Sequence, residues 1–125
     1  MKVRTRVGII VFGLGVALSA AVAGWLAWRP IPPVTVVVQN NSQQPIALVR
    51  VEHERGVEIV ENLARGEAKT IRFQARGETS YTLRIRFADG SEINGNAHYA
   101  EAGYEFFETV SDSGIENDVH LPTRY

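Results

Sequence analysis

Tyr81-Thr82-Leu83-Arg84-Ile85-Arg86-Phe87 is the stretch on which the reading of this chain turns. Tyr81, Leu83, Ile85 and Phe87 alternate with Thr82, Arg84 and Arg86. Successive side chains of a strand point to opposite faces, so this spacing predicts a β-strand with an apolar inner face and a basic outer one. Two residues on, Asp89-Gly90 is the strongest hairpin signal in the chain, because both central residues of a type I′ turn need positive φ and this pair tolerates it. The returning segment, Glu92 to Tyr99, is weakened by Gly95 and interrupted by Asn94 and Asn96, which predicts a bulge or a ragged edge.

The same rhythm extends in both directions. Toward the C-terminus, Glu101-Ala102-Gly103 reads as a turn and Tyr104 to Val110 as a strand, with Tyr104, Phe106, Glu108 and Val110 on one side and Glu105, Phe107 and Thr109 on the other. After Ser111-Asp112-Ser113-Gly114 the tail reads as acidic and irregular. Toward the N-terminus, Thr70 to Gln74 sets Ile71 and Phe73 on one face, and Val57 to Asn62 returns from Ile46 to His53 across Glu54-Arg55-Gly56. In Ile46 to His53, Ala47, Val49 and Val51 alternate with Ile46, Leu48, Arg50 and Glu52. Thr35 to Gln39 is a β-branched run, closed by the turn composition of Asn40 to Pro45.

About seven strands with turns every eight to twelve residues, and no helical period among them, predict a mainly β domain over 35–125: an antiparallel immunoglobulin-like β-sandwich. A small barrel is the alternative. The rhythm looks like that of many bacterial immunoglobulin-like modules, yet the paired cysteines and buried Trp of true immunoglobulin domains are absent, so the likeness is one of architecture.

Ahead of this domain, Val7 to Trp28 holds no ionisable side chain, with Lys2, Arg4 and Arg6 before it and Arg29-Pro30 after it. As a helix rising about 1.5 Å per residue it measures about 33 Å, against a hydrocarbon core of about 30 Å. A transmembrane helix over 7–28 is the expectation, because a lone segment in lipid must satisfy its backbone internally. The basic residues 1–6 outweigh Arg29, which keeps the N-terminus in the cytoplasm and places the C-terminal domain in the periplasm of a bacterial inner membrane. Trp25 and Trp28 read as interfacial anchors. Gly13, Ala17, Ala20, Ala21 and Gly24 share one side of the helix as a small-residue face for a partner helix. The competing reading is a signal peptide cleaved after Ala23, at Ala21-Val22-Ala23. Residues 29–34, with Pro30, Pro32 and Pro33, read as a stiff stem that lifts the domain clear of the headgroups.

Composition narrows the chemistry. Of thirteen basic and fourteen acidic residues, three basic ones precede the apolar run, leaving the remainder at −4, which is no nucleic-acid footprint. The absence of cysteine removes disulfides, thiolate ligands and a thiol nucleophile. His53, His98 and His120 lie too far apart in sequence for a short metal-ligand spacing. Ser42, Ser80, Ser91, Ser111 and Ser113 sit in turn-like contexts without G-x-S-x-G. The sequence therefore predicts no catalytic residue, no cofactor and no metal. Asn40-Asn41-Ser42 matches a glycosylation sequon, relevant only in a eukaryotic secretory route.

What remains are surfaces. Six basic residues between Arg65 and Arg86 face Glu67 and Glu78 alone, whereas Asp89 to Tyr125 carries eight acidic residues and only Arg124. Cross-strand pairing on a solvated sheet is the plain account, and a polar docking face the sharper one. Phe106 and Phe107 are adjacent in a strand, so they face opposite ways, and Phe107 is exposed unless the tail covers it. Arg84, Arg86, Tyr104 and Phe107 are thus the candidate protein contacts. The expectation is a protein-binding module tethered to the bilayer, an accessory or assembly subunit partnered by another membrane or periplasmic protein. A tethered inhibitor or immunity protein and a glycan- or peptide-binding module are the alternatives.

Overall fold

The computed structural model describes residues 30–123, and within them nine strands and no helix. They form two sheets. The first orders β4 (Ala68–Phe73), β1 (Val34–Asn40), β8 (Glu105–Val110) and β9 (Ile115–His120); the second orders β3 (Gly56–Leu63), β2 (Ile46–His53), β5 (Thr79–Phe87) and β6 (Glu92–Asn94), with β7 (His98–Ala100) also paired to β5. The domain is a β-sandwich with its core between the sheets. Val34, Val36 and Val38 face Val49, Val51, Leu83 and Ile85 there, each at most 1% exposed. Without disulfides, this apolar burial, worth about 25 cal/mol per Å², carries the fold.

The alternation of residues 81–87 is realised along β5: Tyr81, Leu83, Ile85 and Phe87 are buried, and Arg84 and Arg86 are exposed. Several expectations are corrected. The strands number nine because Glu92 to Tyr99 breaks into two short strands and the supposedly irregular tail forms β9. Gly95 lies at the break, where its N–H donates to the Leu83 carbonyl at 2.8 Å. The sheets are not wholly antiparallel, since β1 and β8 run parallel, Val36 beside Phe106. In β2 a bulge at Ala47 shifts the phase, so Ile46 joins Val49 and Val51 inside.

The Asp89-Gly90 hairpin also forms differently. Only Gly90 has positive φ (88°), and its N–H donates to the Phe87 carbonyl at 2.9 Å, while Phe87 donates to Ser91 at 2.8 Å. This is a three-residue loop ending in a left-handed residue, not a two-residue type I′ turn. Asp89 stabilises it by accepting from the Ser91 N–H (2.9 Å) and hydroxyl (2.6 Å), which hold its carboxyl below the usual carboxylate range.

At the far end of β1, Asn40 is fully buried and fastens three segments. Its Nδ2 donates to the carbonyls of Gln44 (3.0 Å) and Leu63 (3.1 Å), and its Oδ1 accepts from Ser42. The sequon asparagine is thus a structural clamp, inaccessible in the folded domain. Pro33 belongs to the domain as well, for its carbonyl accepts from the Gly103 N–H at 3.1 Å.

Candidate functional site

Outward-facing residues of the second sheet form the first candidate. Arg50 and Arg84 stand directly opposite each other in register, a like-charge pair that is unfavourable alone. Glu52 relieves it: one carboxylate oxygen lies 3.2 Å from Arg50 Nε and the other 3.2 Å from Arg84 Nε. Arg86 Nε donates to Glu92 Oε1 at 3.0 Å. The expected meeting of basic strand and acidic C-terminal half occurs at Arg86–Glu92, while Arg84 pairs instead with Glu52 of β2; exposed pairs of this kind are worth at most about 1 kcal/mol each. Leu48, Arg50, Arg84, Arg86 and Glu92 surround a shallow depression of about 160 Å³.

The apolar part of this face lies one strand over. Ile59 pairs with Arg50 and Val57 with Glu52, so β3 sets two apolar side chains beside the ion-pair row, 55% and 39% exposed. β3 ends its sheet, and among the described residues no strand pairs with its outer edge. Such an edge offers unpaired backbone N–H and C=O groups to another strand unless charge, brevity or cover blunts it. The other borders of the sandwich are shorter and more charged: β4 exposes Lys69 and Arg72, β9 exposes Glu116, Asp118 and His120 beside Val119, and β6 and β7 have three residues each. β3 is eight residues long; its Glu58 is engaged with His53 at 3.4 Å, and Glu61 is exposed two residues beyond Ile59.

Tyr104 and Phe107 do not join this face. Tyr104 is half-buried against the core. Phe107 lies half-buried on the outer side of the first sheet, its ring 4.9 Å from that of His120. It is not at an edge, because β9 adds outside β8 and supplies the covering histidine. Arg84 and Arg86 are thus brought together with Arg50, Val57 and Ile59, whereas Tyr104 and Phe107 belong to the other sheet. The remaining sequence candidates, Gly13, Ala17, Ala20, Ala21, Gly24, Trp25 and Trp28, lie outside the described residues.

A second cluster, unforeseen from the sequence, sits inside. Tyr81 is flanked in register by His53 on β2 and His98 on β7, all facing inward. From the opposite sheet, Glu108 enters 1% exposed. Tyr81 Oη donates to Glu108 Oε1 at 2.6 Å and Asn117 Nδ2 donates to the same oxygen at 2.7 Å, with His98 Nε2 at 3.6 Å. Glu108 Oε2 is buried without a partner among the described residues. Burial first, and then the Glu108 carboxyl, push the Tyr81 hydroxyl far above its ordinary range. A signal was present: Glu108 stands on the apolar side of its own strand, and Ile115, Asn117 and Val119 alternate with Glu116, Asp118 and His120.

This cluster ties three strands, β5, β8 and β9, across the two sheets. Its carboxyl is closed to solvent, so its chemistry is that of an internal hydrogen-bond hub rather than of a group that meets a substrate. His53 stacks on Phe73 with ring centroids 4.3 Å apart, and His120 pairs with Asp118 at 3.2 Å. Among the described residues no three such side chains converge to hold a metal ion. Nor, among them, is any helix long and apolar enough to cross a membrane.

No protein-family model matches the chain and no curated protein matches it. Among solved structures, it is similar to a protein from Eubacterium rectale determined by NMR, at 15% identity and a TM-score of 0.49, over 74% of this chain and 90% of that one.

Proposed function

We propose that this chain is a single-pass protein of a bacterial inner membrane whose periplasmic immunoglobulin-like sandwich binds another protein, as an accessory or assembly subunit of a membrane complex. The partner adds an extended segment to the outer edge of β3. The observation that carries the reading is that edge itself: the longest end strand of the sandwich, with Val57 and Ile59 turned to solvent beside Arg50 and Arg84. Strand addition draws affinity from main-chain hydrogen bonds and selectivity from alternate side chains, and β3 offers both. Binding rather than catalysis fits the placement of the imidazole groups, each of which is paired with a carboxylate: His53 with Glu58, His98 with Glu108 and His120 with Asp118. The ion-pair row beside the edge steers an approaching charged partner more than it tightens the complex.

Copurification in mild detergent tests the reading. The full chain is expected to retain a stoichiometric membrane or periplasmic protein. Ile59→Lys is expected to lower that partner's affinity by roughly tenfold or more, about 1.4 kcal/mol, with the unfolding midpoint unchanged. Phe107→Asp, on the opposite sheet, serves as the contrast. Retention of the partner by Ile59→Lys with its loss in Phe107→Asp would move the contact to the first sheet and overturn the assignment.

A further inference from the structure

The hairpin of β2 and β3 closes with His53 opposite Gly56 around the loop Glu54-Arg55, and its register runs without a slip to Ile46 opposite Leu63. A two-residue loop closes on a hydrogen-bonded pair, and bonded and non-bonded pairs then alternate along the ladder. Val57, Ile59 and Glu61 are therefore the residues of β3 whose backbone N–H and C=O groups turn away from β2. Asn62, with φ of 57°, kinks the strand, and Leu63 beyond it is buried, so the usable edge ends at Glu61. Glu61 stands at one end of this edge and Arg55, in the loop, at the other. Both are exposed, and neither has an ion-pair partner among the described residues.

We propose that a second copy of this chain adds to this edge, β3 against β3, antiparallel about a twofold axis at Glu58. The proposal rests on the reading of β3 as an edge open to strand addition, and names an occupant for it. Residues whose backbone groups turn outward must face each other, which leaves few registers. With Glu58 on the axis, Val57 faces the second copy's Ile59 and Arg55 faces its Glu61, and symmetry supplies each contact twice. Four apolar side chains then make one cluster on the outer face, with an opposite-charge pair at either end, and the overlap takes in the whole usable edge. Arg55 contributes through its side chain, since its N–H is bound to His53 Nδ1 at 3.3 Å. With Ile59 on the axis instead, Val57 would face Glu61, Arg55 would face buried Leu63 beyond the kink, and only the two isoleucines would meet. The cost of the first register is Glu58 facing its own copy. Each Glu58 already has the His53 imidazole at 3.4 Å, and two attractive pairs stand against this one repulsion. One strand pair covers less than the roughly 1,600 Å² of a standard interface, so a weak dimer is expected, with a dissociation constant of roughly 10–1,000 μM.

Sedimentation equilibrium of the full chain in density-matched detergent, across a concentration range that spans this constant, reads the association. Wild type is expected to pass from monomer to dimer. Arg55→Glu and Glu61→Arg each put two like-charge pairs into the interface and are expected to weaken the dimer by roughly tenfold or more. The double variant reverses both members of each pair and is expected to return the dimer to near its wild-type strength. A wild-type chain that stays monomeric throughout, a dimer indifferent to both single changes, or a double variant no better than the singles would overturn the second copy as occupant. The copurification described above stands or falls separately. A foreign protein held at β3 by a chain that does not self-associate would keep the edge and overturn the homodimer. Self-association that is lost in Ile59→Lys, with no foreign protein retained by wild type, would keep the homodimer and overturn the accessory role.

Discussion

β3 and β9 each end a sheet, yet they meet solvent differently. β3 turns Val57, Ile59 and Glu61 outward, while β9 turns out Glu116, Asp118 and His120, leaves Val119 exposed beside them and sends Asn117 inward to Glu108. Pairing with a neighbour is enough to make an end strand, and what it shows to solvent is free to serve another purpose. β9 is guarded outside and fastened inside by a polar hub. β3 is held by its hairpin to β2 and carries the apolar surface that an incoming strand would cover.

The largest expected effect comes from cutting the β9 fastening. Glu108→Ala removes the acceptor shared by Tyr81 and Asn117 and leaves a cavity between the sheets, so chemical denaturation should show a loss of about 3–5 kcal/mol. Amide exchange in β9 should rise before that in β3. If β3 loosens first, the contrast between the two strands is broken. Tyr81→Phe keeps the ring and deletes one donor, for a loss of about 1–3 kcal/mol.

Tyr81 also carries a pH signature. Its hydroxyl is raised above the ordinary 10.0, so its contribution to stability is complete below that value and declines as pH climbs past it. In a titration of phenolate absorbance, wild type and Tyr81→Phe should overlay until the domain unfolds. An earlier excess of phenolate in wild type would show that the hub is open.

The exposed pair is the counterweight to the buried one. Arg86→Ala should cost no more than about 1 kcal/mol, a difference that shrinks further in high salt. A loss as large as that of Tyr81→Phe would mean that the outer face is structural and not a surface held for docking. The smallest effect is expected at the Asp89 loop. Asp89 is depressed below the ordinary carboxylate value, so its contribution is complete above that value and is lost as pH falls through the lower, folded one. Ser91→Ala should reduce the acid-dependent part of the denaturation midpoint and leave the neutral and alkaline parts alone.

Much of this architecture was legible because alternation is local. A strand buried on one face repeats every two residues whatever lies across from it, so β1, β4, β5 and β8 could be read directly, and Arg84 and Arg86 placed outside. β9 was hidden by composition, because Glu116, Asp118 and His120 are polar and Asn117 interrupts the apolar alternation of Ile115 and Val119. Ile46 was assigned to the wrong face because a bulge shows itself only against a partner strand. Phe107 is covered by His120 because the tail folds back beside it as β9, an outcome that the strand's own alternation leaves open.

The sequence alone determined that residues beyond the apolar run make a mainly β, cysteine-free domain with one basic strand face, since spacing and composition act within a few residues. Only the tertiary structure decided that β1 runs parallel to β8, that Glu108 meets Tyr81, His98 and Asn117, and that Pro32 and Pro33 pack beside Gly103. Those contacts join segments far apart in the chain, and which distant segments meet is settled by packing two whole sheets together rather than by any short stretch of residues.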